Sequence, residues 1–239
     1  MTDQLMETVK NASVCAGGQI AAENQSSDFS LSIRNFFKEP LAVGSAFPAS
    51  RWLVRRMLAP VDWRHVKLLI EFGPGTGVLT RFALSRMSAD SALLALDTNA
   101  SFVNHLRRSI LDPRMHVVAE PASNAAAVIR DLGFPAADYI VSGLPFSTLD
   151  PAEAKRTMRA SRLVLRPGGM FCAYQMRRSI EPLLREHIGS VRRGYEWRNI
   201  PPCHLYWAKA PEPDRNADPS GRKMLERRDE STGNQGEMP

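Results

Sequence analysis

Short apolar segments alternate with segments of helical periodicity through the middle of this chain, from about residue 66 to residue 210. The apolar runs predict strands, at about 66–72, 92–97, 116–120, 137–142, 170–175, 191–197 and 204–209. The intervening patterns predict helices, at about 77–88, 100–110, 123–132, 151–164 and 180–188. Such alternation is typical of an α/β fold built on a parallel sheet with right-handed crossovers.

Three closely spaced glycines follow the first predicted strand: Gly73, Gly75 and Gly77, with the acidic Glu71 two positions before the first. Glycine lets the backbone turn sharply and approach a ligand closely. A pyrophosphate needs several free amides at the start of a helix, and Pro74 has no N–H to offer. The loop therefore suits a nucleotide-type ligand without phosphates better than a dinucleotide.

Asp97 ends the second predicted strand, twenty positions after Gly77. A carboxylate at that position can accept hydrogen bonds from both hydroxyls of a ribose. The alternative role for Asp97 is to cap the helix that follows, for which Thr98 and Asn99 are equally suited. Together with the glycine loop, Asp97 predicts a cofactor that contains a nucleoside.

These two motifs resemble those of class I S-adenosylmethionine-dependent methyltransferases. The resemblance implies a Rossmann-like fold: a seven-stranded, mostly parallel sheet with helices on both faces, an antiparallel last strand and an N-terminal helical extension. It implies S-adenosylmethionine as cofactor, with its amino-acid end beside Glu71 and its adenine bordered by residues 120–122. The implied cofactor-binding residues are Glu71, Gly73, Gly75, Thr76, Gly77, Asp97, Thr98, Glu120, Pro121, Ala122, Ser142, Gly143 and Ser50.

The segment Ser142-Gly143-Leu144-Pro145-Phe146 follows the fourth predicted strand, at the sheet edge where α/β folds bind ligands. It is similar to the Asn-Leu-Pro-Tyr or Asn-Pro-Pro-Tyr motif of methyltransferases that act on amino groups, but the opening Asn is absent. That departure favours a flexible aliphatic amine over a flipped adenine, which is recognised by paired hydrogen bonds. A plain turn at these glycine and proline residues stays open as an alternative.

A narrower resemblance, to the bacterial phospholipid N-methyltransferases that methylate phosphatidylethanolamine, covers about residues 36–209. It depends on Ser142-Gly143-Leu144-Pro145 together with two further segments, residues 43–50 and residues 199–202. The substrate-binding candidates are Leu144, Pro145 and Phe47, and the catalytic candidates are Tyr174 and Phe146. Aromatic faces at the last two positions would hold a cationic amine, although a buried structural role for Tyr174 stays open. The related rRNA adenine dimethyltransferases carry a further helical C-terminal domain, which we do not expect here.

Residues 34–56 combine basic and aromatic side chains, among them Arg34, Arg51 and Trp52. This composition favours an anionic membrane surface and a phospholipid headgroup as partners, with nucleic acid less favoured. The alternative is that Leu53, Val54, Met57 and Leu58 form an ordinary core stripe beneath solvated arginines.

Length and composition predict the domain organisation and the kind of partner. The 239 residues, with a formal net charge of +6, predict one domain with extensions and an anionic partner. We expect a disordered segment at 1–28, an amphipathic helical extension or lid at 29–62, the methyltransferase domain at 63–210 and a disordered tail at 211–239. Three scattered cysteines and five dispersed histidines predict no metal site.

No signal or membrane-spanning segment is apparent, so we expect a cytoplasmic protein, with peripheral attachment to the inner face of the membrane left open. The predicted function is N-methylation of phosphatidylethanolamine and its methylated derivatives. The alternatives are methylation of RNA adenine N6 and a non-catalytic, membrane-associated cofactor-binding protein.

Overall fold

The computed structural model describes residues 49–213. The expectations for residues 1–28, for most of the segments 29–62 and 211–239, and for Phe47 therefore lie outside the described residues.

Seven strands form a single sheet within residues 49–213, in the order β3-β2-β1-β4-β5-β7-β6. They are β1 (Leu68–Phe72), β2 (Ala92–Leu96), β3 (Met115–Val118), β4 (Ala137–Ser142), β5 (Leu165–Gln175), β6 (Ser190–Glu196) and β7 (Cys203–Lys209). β1 to β5 pair in parallel, whereas β7 runs antiparallel to both β5 and β6. The predicted mostly parallel sheet with an antiparallel last strand is confirmed.

The helices of the described region are α1 (Arg51–Met57), α2 (Val78–Leu84), α3 (Ala100–Ser109), α4 (Ala125–Asp131), α5 (Pro151–Val164) and α6 (Ile180–His187). A 3₁₀ turn, Ala122–Asn124, precedes α4. Asp150 caps α5, because its carboxylate accepts from the N–H groups of Ala152 and Glu153. The prediction for α2 was too long, since that helix ends at Leu84 rather than at residue 88.

The sheet buries apolar side chains on both faces, which is the usual condition of a parallel sheet. One core layer contains Leu69 and Val141 together with apolar residues of α1, α2 and α3. The other contains Ile70 and Ile140 with apolar residues of α4, α5 and α6. Because successive side chains of a strand alternate between faces, each strand contributes to both layers.

Helix α1 belongs to the first core layer. Leu53, Val54, Met57 and Leu58 are at most 2% exposed, so the core-stripe interpretation describes this helix. Its first turn is capped by the Ser50 hydroxyl, which accepts from the Leu53 N–H, and Trp207 Nε1 donates to the Met57 carbonyl at its other end. Its arginines are exposed and point away from that core. A buried apolar stripe is therefore compatible with a basic outer surface on the same helix.

The amino edge of the sheet is fixed by Asp138. One oxygen of its carboxylate accepts from the N–H groups of Lys67 (2.7 Å) and Leu68 (3.0 Å), and the other accepts from Arg166 Nε (2.6 Å). The fifth strand was predicted to begin at about residue 170, but β5 begins at Leu165, beside Ala137, with a register shift before Tyr139. Asp138 therefore links β4 to the start of β1 and to β5 at the amino edge of the sheet, which is opposite the edge that carries the candidate site.

Candidate active site

The glycine loop leaves β1 at the carboxyl edge of the sheet. Gly73, Gly75 and Gly77 all have positive φ, at 66°, 54° and 79°. A Cβ atom at Gly77 would lie 2.5 Å from Leu106 Cδ2, whereas one at Gly75 would meet no atom within 4 Å. Gly77 is thus required by packing against α3, and Gly75 borders open space.

Asp97 lies beside this loop, at the end of β2. Its carboxylate accepts from the N–H of Asn99 at 2.8 Å and, weakly, from the N–H of Gly75 at 3.4 Å. Burial raises the pKa of Asp97, and these two hydrogen bonds oppose the shift. The helix-capping role falls to Asn99, whose side chain accepts from the Ser101 N–H, so capping of α3 does not engage Asp97.

Glu71 is 2% exposed and accepts a hydrogen bond of 2.7 Å from the Thr80 hydroxyl. Burial raises its pKa to about 7; the Thr80 hydrogen bond opposes that shift, and the charge of Asp97 adds to it. The carboxyl group therefore changes its charge near neutral pH, in the core layer beneath the glycine loop. Thr80 lies one helical turn after the glycine motif, and its role was not predicted.

The segment after β4 forms a tight, internally bonded loop. The Leu144 N–H donates to the Ser142 hydroxyl at 3.2 Å, and the Leu144 carbonyl accepts from Gln175 Nε2 at 2.7 Å and from the Phe146 N–H at 3.0 Å. Gln175 is 3% exposed at the end of β5. It was missed because its partner lies 31 positions away in the chain and no local pattern marks it.

Tyr174 packs against this loop. A Cβ atom at Gly143 would lie 3.1 Å from the Tyr174 hydroxyl and 3.0 Å from the Gly73 carbonyl. Burial raises the pKa of Tyr174 far above its usual range, and the charges of Cys203 and Glu71 add to the shift. The hydroxyl is therefore neutral near pH 7 and is not a base, although it lies where β4 and β5 end.

The other predicted residues occupy different surroundings. Phe146 is 5% exposed in the second core layer, so its ring packs beneath the sheet edge, on the face opposite to Tyr174. Ala122 is buried in that same layer, and Glu120 accepts from Asn124 Nδ2 at 2.7 Å. Thr98 is exposed after Asp97. Thr76, Pro121 and Pro145 are partly buried in the loops after β1, β3 and β4.

Ser50 joins two segments that are far apart in the sequence. Its backbone N–H donates to Asn199 Oδ1 at 2.9 Å, and Asn199 Nδ2 donates to the Pro201 carbonyl at 2.8 Å. The segments that carried the narrower resemblance thus meet at the carboxyl edge of the sheet. Asn199 is 1% exposed, and the sequence pattern of residues 199–202 did not predict its structural role.

Two buried thiols complete the surroundings. Cys172 on β5 and Cys203 at the start of β7 are both free and buried. Burial raises the pKa of Cys172 to about 12 and that of Cys203 to about 11. Both remain protonated at neutral pH.

Comparison with known proteins shows what this chain is similar to. A model described as a methyltransferase domain matches residues 69–169. An ornithine lipid N-methyltransferase of Singulisphaera acidiphila is 29% identical over 185 residues, which cover 76% of this chain and 96% of that protein. Residues 69–169 thus match a methyltransferase domain, and the sheet has the Rossmann-like fold of class I S-adenosylmethionine-dependent methyltransferases.

Solved structures share the fold of this methyltransferase. The N-methyltransferase NodS from Bradyrhizobium japonicum WM9, in complex with S-adenosyl-L-homocysteine, has a TM-score of 0.57 and 16% identity, over 70% of this chain and 90% of that one. Precorrin-6y C5,15-methyltransferase from Geobacter metallireducens GS-15 has a TM-score of 0.55 and 12% identity, over 69% of this chain and 92% of that one.

The edge of this methyltransferase fits S-adenosylmethionine. Open space next to Gly75 admits a ligand against the backbone, with the carboxyl group of Asp97 beside it and the buried Glu71 in the strand that leads to the loop. No helix among residues 49–213 is long and apolar enough to cross a bilayer.

The first prediction compares two glycines of this loop. We expect Gly77→Ala to destabilise the fold by about 2–4 kcal/mol, because its methyl group overlaps Leu106 in a left-handed conformation. Gly75→Ala should cost only about 1 kcal/mol, yet weaken S-adenosylmethionine binding about tenfold or more by blocking close approach. Chemical denaturation and calorimetry measure the two effects. Equal stability losses in the two variants would contradict this assignment.

The second prediction concerns the charge of Glu71 in the ligand-free protein. The folded state keeps its proton up to about pH 7, whereas an ordinary glutamate releases it near pH 4.5. Folding stability therefore falls as the pH rises through this window, and Glu71→Gln removes the fall. We expect the stability gain of the variant over wild type to grow between pH 5 and pH 8, by up to about 3 kcal/mol.

Urea denaturation at several pH values measures this difference. Thr80→Val serves as the matched variant, since it removes the hydrogen bond that favours the carboxylate and should raise the pKa of Glu71 further. A stability difference between Glu71→Gln and wild type that does not change with pH would refute the buried titration.

Proposed function

We propose that this enzyme transfers methyl groups to the aliphatic amine of a membrane lipid headgroup, with phosphatidylethanolamine and its methylated derivatives as substrates. The observation that carries the proposal is the similarity to an ornithine lipid N-methyltransferase, which extends over 96% of that protein. The same similarity covers 76% of this chain.

On the cofactor side, the side chains at the ends of β1 and β2 would hold the ligand. Asp97 would accept from ribose hydroxyls, and Glu71 would favour the cationic amino group beside the glycine loop. When bound, S-adenosylmethionine supplies an electrophilic methyl group. A cation beside Glu71 stabilises its carboxylate form, so binding and the charge of this residue are linked.

On the acceptor side, the loop after β4 offers backbone groups beside the Tyr174 ring rather than a side-chain amide. Ser142 and Gly143 stand where amino-group methyltransferases carry Asn, and the Gln175 carboxamide is engaged by the Leu144 carbonyl. Paired recognition of an adenine therefore has little support here. For a primary amine on a flexible chain, correct positioning relative to the methyl donor matters more than recognition by paired hydrogen bonds.

Tyr174 would position the amine rather than deprotonate it. Its neutral hydroxyl can accept a hydrogen bond from an amine N–H, and its ring can lie against a cationic ammonium group. The amine must lose its ammonium proton before its lone pair attacks, and we assign that proton to solvent. Rate enhancement then comes from orientation and exclusion of water.

A second candidate substrate is ornithine lipid, because the similar protein from Singulisphaera acidiphila is an ornithine lipid N-methyltransferase. Ornithine also presents a primary amine on an aliphatic chain, but without the phosphodiester of phosphatidylethanolamine. The chemistry proposed for Tyr174 and the loop after β4 applies to either amine.

The third prediction is the outcome of an acceptor comparison with labelled S-adenosylmethionine. We expect label in vesicles of phosphatidylethanolamine or ornithine lipid, because both present flexible primary amines, and none in rRNA. Asp97→Ala serves as the control and should lose activity on every acceptor together with cofactor affinity. Label confined to rRNA would refute lipid methylation, and binding without turnover on any amine would favour a non-catalytic role.

The fourth prediction separates a positioning role of Tyr174 from a structural one. We expect Tyr174→Phe to lower kcat about tenfold while leaving cofactor affinity unchanged, since the ring keeps its packing and only the hydroxyl is lost. Steady-state kinetics on the preferred lipid and calorimetry with S-adenosylmethionine measure these quantities. An unchanged kcat would assign the residue to the core alone.

A further inference from the structure

The turn that joins β6 to β7 lies at the same sheet edge as the candidate active site. β6 ends at Glu196 and β7 begins at Cys203, while Tyr174 and Gln175 pair with Leu205 and His204 of β7. The turn therefore projects from the edge where β4 and β5 also end. Whatever surface it contacts lies beside the acceptor loop.

This turn exposes two large apolar side chains. Trp197 is 69% exposed and Ile200 is 86% exposed. Large apolar side chains in a tight turn cost free energy in water, and tryptophan is enriched where proteins meet the interface of a bilayer.

Two arginines lie next to the tryptophans of this region. The guanidinium carbons of Arg51 and Arg198 lie 4.8 Å and 4.5 Å from the ring centroid of Trp52, and that of Arg198 also lies 5.6 Å from the Trp197 ring. Glu196, the acidic partner of Arg198, has a fully buried side chain. The surface therefore presents cations and apolar groups together.

Its backbone is held in place before any partner binds. Asn199 accepts from the Ser50 N–H and donates to the Pro201 carbonyl, which ties the turn to the start of α1. Arg198 is fixed by a hydrogen bond of 2.9 Å to Glu196. Little conformational entropy is then lost when the turn meets a surface.

We propose that Arg51, Trp52, Trp197, Arg198 and Ile200 form a docking surface for an anionic lipid bilayer. The inference rests on the proposed lipid substrate and adds where the enzyme meets the membrane. Trp197 and Ile200 enter the boundary between headgroups and acyl chains, and the arginines contact anionic headgroups. Docking in this way turns the carboxyl edge of the sheet, with its acceptor loop, toward the headgroups.

The test measures partitioning of the full chain onto vesicles of phosphatidylglycerol and phosphatidylcholine. These lipids carry no methylatable amine, so the result is independent of the proposed reaction. We expect Trp197→Ser combined with Ile200→Ser to weaken partitioning about tenfold or more, because both side chains insert their apolar surface. Wild-type binding should also weaken as salt is raised, through screening of the arginines.

The matched control is Leu111→Ser combined with Leu163→Ser. These side chains are 90% and 77% exposed but precede β3 and β5, at the opposite edge of the sheet. We expect the control to partition like wild type. Equal partitioning of wild type and the Trp197/Ile200 variant onto the vesicles overturns the proposal. So does a loss of partitioning in the control equal to that in the Trp197/Ile200 variant. A wild-type protein that binds RNA but no vesicle also overturns it.

A second readout separates docking from catalysis. We expect the Trp197/Ile200 variant to keep wild-type turnover on a water-soluble, short-chain phosphatidylethanolamine while losing turnover on vesicles in proportion to its binding. An equal loss on both substrates would place these residues in the fold or the active site and would overturn the docking role.

Discussion

The close approach of three backbone segments at the end of β1 is the constraint on which the rest of this structure depends. The Gly73 N–H donates to the Leu96 carbonyl and the Gly143 N–H donates to the Phe72 carbonyl, both at 2.9 Å. These hydrogen bonds continue the sheet pairing beyond the last strand residues on both sides of β1. They bring the loops after β1, β2 and β4 together, and a side chain at Gly143 would force them apart.

Glu71 shows what this arrangement costs. A carboxyl group near the end of a fully buried strand loses its hydration, and the Thr80 hydroxyl replaces only part of it. An apolar residue would suit the surrounding core better. The protein instead has Glu71, whose charge depends on the groups beside the glycine loop that follows its strand. Such a residue lowers stability in favour of ligand binding, which is a common compromise.

The sequence predicted those elements whose signals are local. β4 and α5 have the predicted bounds, because a turn or an N-cap marks their ends. The start of β5 was not predicted, since Pro167, Gly168 and Gly169 favour a turn and only pairing with β4 extends the strand.

In the candidate site, the glycines and both carboxylates could be placed at the sheet edge from the sequence, because strand ends fix where they lie. The partners Thr80, Gln175 and Asn199 could not, since each acts through a contact made by the folded chain. The surroundings of Phe146 could not be predicted either. The residue follows the strand that ends at the site, but its side chain packs in the second core layer, on the face of the sheet opposite to Tyr174. Local pattern does not determine which face of the sheet a side chain after the strand end will occupy.

The burial of Cys172 and Cys203 has a consequence for a protein that handles a reactive methyl donor. A thiolate attacks a sulfonium methyl group readily, whereas a protonated thiol is a poor nucleophile. Both thiols lie on the strands β5 and β7 that pair beside Tyr174, and burial raises their pKa values, so they stay protonated at neutral pH. Two sulfur atoms can therefore stand in this part of the sheet as poor nucleophiles.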